Sequence, residues 1–248
     1  MIIGVQQIRD AYRDERVARN YVAERFREPL GALLHARQIR ALRRVIRARR
    51  PRRVLEIAPG PGRLTVEVAR MITGRGVVVE ASAQMLGEAR RVLQAVPGHR
   101  WSCLQGDAFH LPVSSGFDLV YVFRLIRHFH AAERAAIYAQ IRKVLEPGGV
   151  LMFDAVNEAE SAPLRARAPQ EYQHFDAMSR PDALQAELVD VGFELIGLEG
   201  VQHRCGVLGL MQTLVAPRSR MLARAAMECT DRLTGGQPLE WIVTCRRV

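Results

Sequence analysis

The chain has 248 residues, 48% of them hydrophobic and 25% charged, which is enough to fill one domain with a continuous apolar core. Its formal charge of +10 is uneven: residues 1–53 hold 15 Arg against 5 acids, whereas residues 54–248 hold 21 basic and 21 acidic side chains. There is no uninterrupted apolar run of about 20 residues and no basic patch leading into a long apolar segment, so neither a membrane span nor a secretion signal is expected and a cytoplasmic enzyme is.

Residues 5–27 carry Ile8, Tyr12, Val17, Tyr21 and Phe26 at helix-compatible spacing. Pro29 then opens a clearer helix to about Arg49, with Ile39, Leu42 and Ile46 on one side and Arg37, Arg40, Arg44 and Arg47 opposite. This basic face suits nucleic acid, an anionic lipid surface or an anionic substrate, and equally suits plain solvation. Short strands are expected at 54–58, 77–80, 101–105, 117–123 and 150–156, with helices at 64–71, 84–93 and 131–145 between them. Pro147-Gly-Gly149 reads as a tight turn before the fifth strand, which is apolar on both faces except for Asp154. Apolar strands alternating with helices indicate a parallel sheet covered on both sides, a doubly wound α/β fold.

After Val156 the chain changes character. Residues 157–180 are polar and irregular, as a substrate-side insertion would be, and a helix from Arg180 to Val189 and a strand from Phe193 to Gly200 follow. Val207–Val215 is apolar, Pro217–Leu233 suits a helix, and Leu239–Cys245 a last strand. The organisation expected is one domain over 51–248 with a basic helical N-terminal region over residues 1–50. The four cysteines, Cys103, Cys205, Cys229 and Cys245, are scattered without paired metal spacing and read as buried apolar residues in a reducing compartment.

The chemistry concentrates in Val54-Leu-Glu-Ile-Ala-Pro-Gly-Pro-Gly62, a strand tip turned into a loop. Gly60 and Gly62 allow a sharp turn and close approach of a ligand to the backbone. The loop is not the dinucleotide fingerprint, since Ala58 takes the first glycine's place and no third glycine follows. Nor is it a phosphate loop with Gly-Lys-Ser/Thr, so ATP hydrolysis is set aside. Glu80, ending the second strand, can accept both ribose hydroxyl hydrogens, and Asp107, after the third, can accept from an exocyclic amine; either acid also suits a helix or turn cap.

Taken together, Glu56-Ile-Ala-Pro-Gly-Pro-Gly62, Val78-Val-Glu80-Ala-Ser-Ala-Gln-Met-Leu86, Gly106-Asp-Ala-Phe-His-Leu-Pro112, Phe117-Asp-Leu-Val120 and Val144-Leu-Glu-Pro-Gly-Gly149 resemble the class I S-adenosylmethionine-dependent methyltransferases, most nearly those acting on small molecules and quinones. The resemblance covers roughly residues 50–156 and implies a Rossmann-like, mostly parallel seven-stranded sheet with an antiparallel last strand. It implies S-adenosyl-L-methionine as cofactor, its methionine end held by Glu56 and the backbone around Ala58, Gly60 and Gly62. Glu80 would hold the ribose; Ala81 and Met85 would pack near the adenine; Asp107 and Ala108 would line the base. Phe123 would lie beside the transferable methyl, and Tyr21 looks like the tyrosine of an N-terminal lid, so the resemblance makes residues 1–50 a lid on a catalytic domain over 51–248. Ala58 departs from the family's glycine; a methyl there is expected to hold a conventional backbone angle and to narrow the loop slightly, with Pro59 and Pro61 stiffening the turn.

His128 and His130 follow the fourth strand on the ligand edge of such a sheet, and a histidine there can abstract a proton near neutral pH. His128 is the catalytic candidate of the two. Tyr172, His174 and Asp176 alternate in the insertion, where His174 is a second catalytic candidate and Tyr172 a substrate contact. No third ligand joins these histidines at metal spacing, so no metal is expected. Arg124 and Arg127 could hold an anionic acceptor, whereas Val207–Val215 suits a hydrophobic one. Methylation of RNA or protein, and a cofactor-binding regulatory protein without catalysis, are the alternative readings; no RNA-binding pattern of interleaved aromatic and basic residues accompanies the basic N-terminus.

Overall fold

A computed structural model describes residues 26–172, 175–233 and 235–248. Its first helix, α1, spans Pro29–Arg49, with proline in its first turn and Arg50 ending it in the left-handed region. The strands and helices then alternate as β1 (Arg53–Ile57), α2 (Arg63–Ala69), β2 (Arg75–Glu80), α3 (Ala83–Gln94), β3 (Trp101–Gln105), β4 (Phe117–Val122), α4 (Ala131–Val144) and β5 (Leu145–Asn157). Next come α5 (Glu158–Arg167), β6 (Met178–Ser179), α6 (Pro181–Asp190), β7 (Phe193–His203), α7 (Cys205–Leu210), a π turn (Met211–Val215), α8 (Arg220–Arg232) and β8 (Pro238–Arg247).

Seven strands lie in the order β3-β2-β1-β4-β5-β8-β7. Neighbours from β3 to β5 are parallel, and β8 is antiparallel to both β5 and β7, as expected for the last strand. To these the structure adds β6, two residues paired parallel to the end of β5. The chain runs outward from β1 to β3 and then returns to place β4 on β1's other side. Connections therefore diverge above the carboxyl ends of β1 and β4, where open α/β sheets leave a crevice.

Strand periodicity divides the core between the two faces. Val54, Val78, Tyr121 and Met152 pack beneath α1, α2 and α3 with Leu42, Leu64 and Leu86. Their neighbours Leu55, Val79, Val120 and Phe153 pack on the opposite face with Ile137, Ile141 and Leu188 of α4 and α6. The basic face expected on α1 is exposed at Arg40, Arg44 and Arg47, but Arg37 is buried against α8, 2.6 Å from the carboxylate of Asp231.

Two local expectations are corrected. Pro147-Gly-Gly149 is not a turn ahead of the fifth strand: β5 begins at Leu145 and runs through it, and the register against β4 shifts between Phe117 and Leu119 to accommodate it. The segment 157–180 is not irregular throughout, because α5 occupies its first half. The Asn157 side chain accepts from the Ala159 amide, and Glu158 and Glu160 in the first turn and Arg165 and Arg167 in the last complement the helix dipole.

Candidate active site

A cavity of about 660 Å³ opens at the carboxyl edge of β1, β2, β3 and β4. Glu56, on β1, forms part of its floor with only 3% of its surface exposed. One carboxylate oxygen accepts from the hydroxyls of Thr65 (2.5 Å) and Tyr121 (2.7 Å). Burial nevertheless pushes its pKa up to about 7, because those hydrogen bonds and the Arg63 charge offset only part of the desolvation.

Beyond β1 the loop turns through three residues of positive φ: Ala58 at 52°, Gly60 at 57° and Gly62 at 83°. Ala58 therefore overturns the expectation of a conventional angle. A left-handed non-glycine residue costs about 1–2 kcal/mol, and here the turn imposes it, since the Ala58 amide donates to the Val79 carbonyl (2.8 Å) and fixes the loop against β2. Gly60 lines the cavity, and a Cβ on it would meet nothing within 4 Å, so its backbone faces open space. Gly62 is not on the cavity wall. A Cβ there would lie 2.8 Å from the Val92 side chain, so this glycine lets α2 start tightly against α3.

Glu80 ends β2 with its carboxylate accepting from the amides of Gly60 (3.1 Å) and Ser82 (2.9 Å). Burial raises its pKa, against the pull of those amides. A carboxylate can accept more hydrogen bonds than these amides supply, and Glu80 lines the cavity. Ala81 and Met85 line the cavity beside it, and Asp107 and Ala108 close the far end below β3. One Asp107 oxygen accepts from the Phe109 amide (2.9 Å), so this acid caps a turn as well as facing the cavity.

The other wall follows β4: Phe123, Arg124, Leu125, His128 and Phe129. Nδ1 of His128 lies 3.1 Å from the Phe175 carbonyl and 3.0 Å from the Asp176 carboxylate. Burial would push the Asp176 carboxyl up, but the His128 hydrogen bond and the Arg127 charge outweigh it and hold it well below the ordinary carboxylate range. Arg127 does not reach the cavity. It is buried, pairing with Asp176 (2.8 Å), Glu240 (2.6 Å) and Asp154 (3.2 Å), and so is committed to three carboxylates rather than to an acceptor. Arg124 lines the cavity, yet its guanidinium pairs with Glu240 (2.8 Å) and its amide donates to Asp154. Tyr172 is exposed, away from the cavity wall, with Arg165 stacked 4.8 Å over its ring. His130 caps α4 and packs on Phe175. Tyr21 and His174 lie outside the described residues.

Sequence reasoning missed Phe26 and Arg63 on the cavity rim. Arg63 donates to Gln38 (2.7 Å), contacts His35 and lies 3.8 Å over the Phe26 ring. It also missed that Asp154 and Glu240 are one cluster, although Asp154 was visible as the lone acid in an apolar strand.

Residues 54–149, from β1 into β5, match the family model described as a methyltransferase domain, and the described residues have the class I S-adenosylmethionine-dependent methyltransferase fold. Among solved structures it is similar to magnesium protoporphyrin IX methyltransferase from Synechocystis PCC 6803 with bound SAH, at 12% identity and a TM-score of 0.62 over 89% of this chain and 86% of that one. It is also similar to the mitomycin 7-O-methyltransferase MmcR (18% identity, TM-score 0.56), with 81% of this chain spanning 50% of that one. The (4+2) cyclase SpnF shares the fold at 20% identity and a TM-score of 0.54, over 79% of this chain and 74% of that one. Identities this low are likenesses of fold. No curated protein sequence matches the chain.

Proposed function

We propose that the protein transfers a methyl group from S-adenosylmethionine to a small, largely apolar acceptor whose nucleophilic atom arrives protonated, as in a phenol or enol. The observation that carries this is one continuous cavity with Glu80, the Ala58–Gly62 loop and Asp107 at one end and a carboxylate-oriented histidine, His128, at the other. The cofactor supplies an electrophilic methyl carbon bonded to a positively charged sulfur. Glu80 suits its ribose, Asp107 its adenine, and Glu56 with Arg63 its amino-acid end.

At the acceptor end, Nδ1 of His128 is engaged by Phe175 and Asp176, which selects the tautomer whose Nε2 can take a proton. An acceptor that took up the methyl group a bound cofactor would supply would release its proton to that nitrogen. Asp176 stays ionised and stabilises the imidazolium. The cavity walls would position the acceptor against the cofactor's methyl group, and such placement can supply much of the rate. Phe123, Leu125 and Phe129 beside His128 favour an apolar acceptor body, and the engagement of Arg124 and Arg127 by carboxylates disfavours a strongly anionic one.

The experiment is incubation with methyl-labelled cofactor and fractionated phenolic and non-phenolic metabolites, with mass analysis of products. His128→Ala is expected to lower kcat about 10²–10⁴-fold at neutral pH while leaving cofactor affinity nearly unchanged. Wild-type kcat in that variant removes the base; cofactor binding without any labelled product removes the reaction.

A further inference from the structure

Five of the eleven large hydrophobic side chains exposed among the described residues crowd into one stretch of sixteen: Val207, Leu210, Leu214, Met221 and Leu222, at 43%, 61%, 57%, 78% and 62% exposure. They belong to α7, the π turn and the first turn of α8, whose inner sides, Leu208 and Met227, are fully buried against Leu33 of α1. The exposed set is therefore a second apolar face left over after the packing face is used. It stands at the carboxyl edge of the sheet, because α7 begins directly after β7, and β7 runs in the direction of β5. It also adjoins the cavity rim: Gln212 in the π turn accepts from the Leu30 amide (3.1 Å) and donates to Glu28 (3.0 Å), two residues from the rim side chain Phe26.

Within this stretch the charge has one sign, and Glu28 is an acid that α1's start brings against it. Residues 204–227 contain Arg204, Arg218, Arg220 and Arg224 and no acid. Arg220 is paired with Glu28 (2.7 Å), whereas Arg218 donates to the Leu214 carbonyl and meets no carboxylate among the described residues. A two-fold contact between copies would set this positive field against itself. Nucleic acid would meet the arginines but leave the leucines and Met221 unburied. A bilayer with anionic headgroups supplies an apolar layer and a negative surface within one plane. No described helix is long and apolar enough to cross a membrane, so the contact would be peripheral.

We infer that the face formed by α7, the π turn and the start of α8 docks on an anionic lipid surface, seating the cavity mouth at the headgroup level. This is distinct from the Arg40–Arg47 face of α1, which carries charge without exposed apolar side chains beside it. It does not depend on methyl transfer, although an apolar acceptor partitioned into lipid would then enter from the membrane side.

The test is co-sedimentation of the full chain with vesicles of phosphatidylcholine alone and of phosphatidylcholine mixed with phosphatidylglycerol, with cofactor affinity measured in parallel. Binding is expected to the mixed vesicles and to weaken with salt. The double variant Leu210→Asp, Leu214→Asp should lower the partition coefficient by at least about tenfold, and Arg218→Glu should lower it only on anionic vesicles, all with cofactor affinity kept. Loss of cofactor affinity in the leucine variant would mark misfolding, and Arg218→Glu then decides. No sedimentation, equal binding to neutral vesicles, or a dimer in light scattering that Leu210→Asp abolishes each overturns the inference, whatever the outcome of the methyl-transfer assay.

Discussion

The two ends of the cavity are held by different forces. Between Glu56 and Glu80 the wall is made by residues within one β-loop-α-β passage, and main-chain amides fix it: Ala58 on the Val79 carbonyl, Gly60 and Ser82 on the Glu80 carboxylate. Around His128 the wall is tied by side-chain charge, with Arg127 collecting Asp154 from β5, Asp176 from the segment before β6 and Glu240 from β8, separations of 27, 49 and 113 residues. Local backbone geometry tolerates the loss of one side chain, while a buried charge cluster does not, because removing one member leaves the others desolvated and unpaired. The cofactor end should therefore lose affinity on mutation while keeping its shape, and the acceptor end should lose stability.

The largest expected effect is at the charged cluster. Arg127→Gln should destabilise the protein by about 3–5 kcal/mol, read as a lowered denaturation midpoint in urea; a change under about 1 kcal/mol would mean that the cluster is not held as a unit. Next, Glu80→Ala should weaken cofactor binding about 100-fold, since hydrogen bonds to a charged acceptor contribute about 1.5–3 kcal/mol each, with the urea midpoint shifted far less than by Arg127→Gln. Affinity unchanged by calorimetry would take Glu80 out of the ribose-binding role.

The smallest effect sharpens the contrast through pH. Glu56 in the folded protein titrates near 7, above an unfolded carboxyl, so it favours folding while protonated and this contribution fades as pH rises through about 7. Stability measured from pH 5 to pH 8 should fall by about 2 kcal/mol from this group, and Glu56→Gln should remove most of that slope. An unaltered slope in the variant would assign the pH dependence elsewhere.

The glycine-loop end of the cavity was legible in the sequence because its parts are local. Glu56, Gly60, Glu80 and Asp107 sit at strand ends that apolar periodicity and glycine turns reveal, and parallel pairing brings those ends to one edge. Even there, one backbone angle escaped: nothing about an alanine announces the left-handed φ that Ala58 adopts. The helix boundaries of α1 were equally readable from Pro29 and the Ile39-Leu42-Ile46 spacing, but which arginine of its basic face would be buried depended on Asp231 of α8.

The sequence by itself determined the doubly wound sheet, its order of elements and the carboxylates at the carboxyl edge of its first strands, since these follow from short-range patterning and the handedness of β-α-β connections. Tertiary structure alone decided the His128 end of the cavity. Arg127 looked like a substrate ligand until Asp154, Asp176 and Glu240 surrounded it, and His128 looked like one of several histidines until Asp176 met its Nδ1. Long-range ion pairs leave no periodic trace in a chain, because any carboxylate that the topology brings within about 4 Å can serve as partner.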